Sequence, residues 1–177
     1  MSELSESWDR HTEPLTDVVG SVTDWNAASP CEGWSAADVL DHLMQTHRDF
    51  MARHGREIPL GSGNPAEQWK AHAAALAEIV RDEAFVSTPM ETPFGDSTIG
   101  QVLIDFYGMD LIVHRWDIAT SQGMDHQLSG EEMAEVDVAV DGYGRAAYAP
   151  GIFGDPVDVP EDASRQAKVL ARTGRQA

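Results

Sequence analysis

Apolar residues recur along this chain mainly at helical spacing, three and four apart, and the stretches that carry this pattern predict an all-α protein. Trp8, Leu15, Val18, Val19 and Val22 predict a first helix over about 5–22, with Pro14 either kinking it or starting its regular part. A second helix starts from Ser35, an N-cap with Asp38 three residues on in a capping-box arrangement, and runs to about Arg53 before Gly55 stops it. Its buried face is Val39, Leu40, Leu43, Thr46 and Phe50. His42 lies on the edge of that face, whereas His47 and His54 fall on other faces and are assigned to solvent. Asn64 caps a third helix, with Pro65 at its first position and Glu67 three after the cap. Trp69, Leu76, Ile79 and Val80 point inward from it.

The pattern then changes. Residues 85–97, F-V-S-T-P-M-E-T-P-F-G-D-S, break helical spacing twice with proline and predict a short hairpin or structured loop. Ser97 or Thr98 opens a central helix that runs to Ser121 and ends at Gly123, the place of a left-handed glycine cap. Gly108 inside it suggests the close approach of a neighbouring helix. Ser129 caps another helix, Y-A-P-G-I-F-G-D-P ends regular structure, and an extended arm from Val157 leads into a short helix, A-S-R-Q-A-K-V-L-A-R, lying back on the bundle.

Within the central helix Asp110 and His114 stand four residues apart. That spacing places them one turn apart and roughly 40° apart around the axis. Tyr107, Leu111 and Ile118 share the stripe, so an ionisable pair faces a core. Two readings stand. The pair satisfies its own hydrogen bonding, or both side chains point at one metal ion with a third ligand from elsewhere, for which His42 is the candidate. His11 reads as a surface or packing residue, His72 as a packed or exposed histidine or a fourth ligand, Arg115 as a surface ion pair, and Trp116 as a packing residue. Asp117 can hold the second nitrogen of a ligating imidazole or a neighbouring backbone group.

Length and charge narrow the classes. A chain of 177 residues predicts one domain over 1–177. A net charge of -18, from 12 Lys and Arg against 30 Asp and Glu, repels phosphate backbones and anionic membranes, so neither is an expected partner. Cys31 is the only cysteine, the N-terminus lacks a basic and apolar leader, and no apolar run reaches a membrane span. These features predict a cytoplasmic protein.

Three stretches together resemble a known family. The loop and helix S-P-C-E-G-W-S-A-A-D-V-L-D-H-L, the run P-F-G-D-S followed by D-L-I-V-H-R-W-D-I-A-T-S-Q-G, and the ending K-V-L-A-R-T-G-R are similar to the metal-binding family related to the N-terminal domain of mycothiol-dependent maleylpyruvate isomerase, in the DinB-like superfamily. The resemblance implies a DinB-like four-helix bundle holding a divalent metal (zinc first, nickel or iron as alternatives) through His42, Asp110 and His114. Asp110 stands where the isomerase has glutamate, and the chain ends without room for that enzyme's second domain. The resemblance therefore implies a broader class, an actinobacterial S-transferase or isomerase that uses a low-molecular-weight thiol such as mycothiol against a small electrophile. Cys31 sits in the loop motif with a packing role. Two other classes remain: a metal-free enzyme of specialised metabolism with Asp110 and His114 as acid and base, and a non-catalytic metal-binding stress or ligand module. A homodimer through an exposed helical face is compatible with each.

Overall fold

The computed structural model describes residues 2–149 and 151–177; Pro150, within the predicted break in regular structure, lies outside them. Four long helical segments form the bundle. They are α1 (Glu3–Gly20), α2 (Ala36–Arg53), α3 (Pro65–Val80) and a rod over 99–121 built from α5 (Ile99–Val102), a π-helical turn (Leu103–Gly108) and α6 (Met109–Ser121). α1 and α2 each pack against both α3 and α6, so the ring order is α1, α3, α2, α6. This order makes α2 and α6 neighbours. A short helix α4 (Glu83–Val86) and a hairpin of β1 (Pro89–Thr92) and β2 (Gly95–Thr98), with Thr92 opposite Gly95, precede the rod. α7 (Gly130–Tyr143) lies outside α6, and α8 (Arg165–Ala171) packs on α7. Among the described residues the protein is all-α apart from that hairpin, and no described helix is long and apolar enough to cross a membrane.

The expected starts and stops are in place. Ser35, Asn64 and Ser129 form capping boxes with Asp38, Glu67 and Glu132, and Thr98 caps the rod by accepting from the Gln101 amide at 3.1 Å. Gly123 takes a φ of +69 after Ser121. The rod itself departs from expectation, because the sequence pattern predicts regular α-helix where the π turn occurs. A π turn absorbs roughly one residue. Leu103 and Leu111, eight apart in sequence, therefore stand as if seven apart and face the same core with Ile99 and Ile118. Gly108 closes the turn against the His11 ring, where an added Cβ would lie 3.2 Å from three ring atoms. The Tyr143 hydroxyl donates to the Asp105 carbonyl inside the turn at 3.1 Å.

Two apolar clusters fill the molecule. One lies among α1, α2, α3 and the rod around Trp8, Leu40, Leu43, Met51, Trp69 and Leu111. The other joins α6 to α7 and α8 through Ile112, Val113, Trp116, Val136 and Leu170. α6 is the wall between them, which is why residues all round it are buried.

Two assignments change on α2. His47 is buried at 0% exposure, not in solvent, and His54 is half-buried against Phe50. Thr46 is half-buried, and Met44 and Met51 are part of the face instead. His47 follows Leu40 by seven and Leu43 by four, so it sits at the centre of the stripe. It shares a proton with His72, Nδ1 to Nε2 at 3.1 Å, which makes His72 a packed residue. Burial pushes His47 well down and His72 to about 4. Because the unfolded chain takes up these protons near pH 6.5, stability is intact above that pH and is lost as pH falls toward 4. His72→Phe should remove an acid-induced loss of up to about 3 kcal/mol between pH 7 and 4, read from urea midpoints at each pH beside wild type. Parallel pH profiles for the two proteins would refute the assignment.

Candidate metal centre

The loop before α2 is fixed by its backbone. Trp34 donates to the Cys31 carbonyl at 3.0 Å, Ser29 donates to the Trp34 carbonyl at 2.9 Å, and Gly33 turns with a φ of +79. These bonds hold Cys31 and Trp34 against the junction of α2 and α6. The Trp34 ring lies 5.0 Å from that of His42 and 6.4 Å from that of His114, nearly parallel to the latter.

His42 comes from α2, and Asp110 and His114 come from successive turns of α6. His42 Nε2 is 3.8 Å from Asp110 Oδ2, and His114 Nε2 is 3.4 Å from Asp110 Oδ1. One donor atom from each of the three lies within 4.8 Å of the others. Ligands about 2.1 Å from a tetrahedral ion stand about 3.4 Å from one another, so the spacing suits a cation between them. The remaining nitrogen of His114 is engaged, as Nδ1 donates to Asp117 Oδ2 at 2.8 Å and leaves Nε2 for the shared space.

Asp117 is fully buried, and its charge is met from three directions. Arg175 Nη2 donates to Oδ2 at 2.8 Å, Arg175 Nε donates to Oδ1 at 3.2 Å, and Cys31 Sγ donates to Oδ2 at 3.2 Å. Burial opposes the carboxylate, but His114 and Arg175 hold it far below the usual range. Burial likewise opposes a charged His114, but Asp110 and Asp117 raise it to about 10, while burial pushes His42 down. Cys31, His114 and Asp117 also stand close enough to suggest ligands. A cation there would meet the Arg175 guanidinium, so the first triad is the better metal site.

Cys31 packs against the first cluster as expected and in addition joins this polar network. The expectation for Arg115 is corrected. It is 2% exposed, with Nη1 on Glu132 Oε1 at 2.7 Å and Nε donating to His126 Nε2 at 2.7 Å, and it ties α6 to α7. Trp116 packs in the second cluster. His11 is buried, donating from Nδ1 to the Ser7 carbonyl at 2.7 Å and facing Glu135 Oε2 with Nε2 at 2.6 Å. Arg175 escapes a reading of periodicity because it lies beyond the last helix, and its one signal is the T-G-R ending. Gly174 makes that ending possible. Its φ is +82, and a Cβ there would sit 2.9 Å from the Gly154 Cα.

The family model for the mycothiol maleylpyruvate isomerase N-terminal domain matches residues 4–119. The chain belongs to this family. No curated protein and no solved structure matches it. The stretch shared with the mycothiol maleylpyruvate isomerase N-terminal domain family includes His42, Asp110, His114 and Asp117, whereas Arg175 lies outside it.

Arg175→Ala leaves a buried carboxylate short of its main partner and should cost about 3–5 kcal/mol in urea unfolding. Arg172 bridges Asp137 and Asp141 at a partly exposed position, and Arg172→Ala should cost about 1 kcal/mol or less. Equal losses in the two variants would contradict a special role for the Asp117 network.

Proposed function

We propose that this protein binds one divalent metal ion through His42, Asp110 and His114 and uses a low-molecular-weight thiol, mycothiol by family resemblance, in an S-transfer or isomerisation on a small electrophile. The observation that carries this reading is the convergence of two imidazole nitrogens and one carboxylate within 4.8 Å, beside a cleft of about 270 Å³ that His42 and Asp110 line. A two-histidine, one-carboxylate set leaves coordination positions for exogenous ligands. When bound, the cation supplies the charge that favours a thiolate at neutral pH.

The chain's own residues divide the remaining work. Asp117, anchored by Arg175, fixes the orientation of His114 and keeps its Nε2 toward Asp110. Trp34 covers the imidazole rings on one side, so ligands approach from the side lined by Thr46, Tyr107, Tyr143 and Phe153. Arg53 also lines this cleft and offers a cation to an anionic group on thiol or substrate.

The acid-base reading is less well supported. A histidine held at about 10 between two carboxylates stays protonated at neutral pH and is a poor general base there. The same proton must leave when a metal takes Nε2. Metal binding should therefore release close to one proton per ion at pH 7 and weaken as pH falls, measurable by calorimetry in buffers of different ionisation enthalpy.

Elemental analysis of untagged protein purified without added metal, for wild type beside His42→Ala, is the direct test. Near-stoichiometric zinc or nickel in wild type and little in the variant is the expected result. A folded wild type without metal, even after incubation with zinc, would overturn the reading.

A further inference from the structure

A second cavity opens beside the metal cleft. It has a volume of about 600 Å³ and lies between the hairpin, the π turn and α7. Phe106, Met109 and Tyr143 line both spaces, so one aromatic partition stands between them. The volume is in the range of small-molecule sites. Phe94, Phe106 and Tyr143 form its aromatic side, with ring centroids 4.6 to 5.9 Å apart, and Val138 is exposed at 71% on its rim.

Its charged groups have one sign. Asp96, Asp105 and Glu135 line it, and no Lys, Arg or His does so among the described residues. Glu135 is held in place, since its Oε2 meets Nε2 of the buried His11 at 2.6 Å. An anion entering this cavity would face three carboxylates on a protein of net charge -18. The family name points to maleylpyruvate, a dianion, and this cavity suits the opposite chemistry.

We infer that the cavity beside the metal cleft binds the organic substrate, and that this substrate is an apolar, aromatic-sized molecule, neutral or cationic, rather than a small dicarboxylate. Apolar burial supplies the affinity and the acidic rim supplies the charge selection. That the bound molecule is the electrophile rests on the metal-centred function proposed above; that it binds at all does not.

Three probes with one ring system separate the terms: 1-naphthylmethylamine, 1-naphthalenemethanol and 1-naphthoate, titrated by calorimetry into the full chain. The amine and the alcohol should bind at least about tenfold more tightly than the carboxylate. Gly142 lines the cavity on α7, and a Cβ there meets nothing within 4 Å, so Gly142→Phe fills the space without disturbing the helix. It should weaken the amine and alcohol at least about tenfold. Ala139→Trp, on the same wall, should do likewise. Glu135→Gln should narrow the gap between amine and naphthoate, and His42→Ala should leave all three affinities unchanged. Equal binding of naphthoate, or unaltered binding in both filled variants, would overturn the inference. Metal content of the same preparations reports separately on the proposed function. Selective probe binding in a protein that takes up no metal would sink the metal-centred function and leave the cavity assignment standing.

Discussion

One carboxylate governs the arrangement of this molecule. Asp117 is fully buried, and a charge so placed is tolerable only if it is surrounded by donors. Those donors come from the helix itself and from two distant parts of the chain: His114 one turn earlier on α6, Cys31 in the loop before α2, and Arg175 after α8. The loop cannot swing out, the tail cannot peel away and the imidazole cannot turn without leaving Asp117 short of a partner. The orientation of the candidate ligand His114 is thus set by the same interaction that closes the bundle.

The helix that carries these groups is unusual in having almost no wet side. A helix of one face would place Asp110 and His114 opposite solvent or core, but α6 borders a cluster on each flank. Its buried polar residues meet α2 across the seam, Cys31 and Arg175 through Asp117, and α7 and His126 through Arg115. The π turn just before it resets the facing of the rod, so that the first half packs with the same core as Leu111 and Ile118.

Much of this was legible in the sequence. Caps announce themselves by residue type, so Ser35, Asn64 and Ser129 mark their helices and Ser97 or Thr98 marks the central one, with Thr98 the cap in the structure, and the spacing of Asp110 and His114 tells of a shared stripe. The bundle and its hairpin follow from those signals. His42 is the candidate third ligand because it edges the buried face of α2, and the family motifs imply the same residue; no periodicity in α2 says which helix that edge will meet. His47 was readable at the centre of its stripe and was misjudged by its polarity. The π turn, the burial of Arg115 and the role of Arg175 were not readable. Each depends on contacts between segments far apart in the chain, and no local spacing encodes a partner reached across the fold.

The double burial of α6 has a consequence for motion. A helix that walls two cores loses packing on both flanks if either core opens, so neither cluster has a cheap route to unfold on its own. Its amides should be among the last to exchange with solvent. Chemistry at the seam between α2 and α6 would then take place on a floor that barely moves.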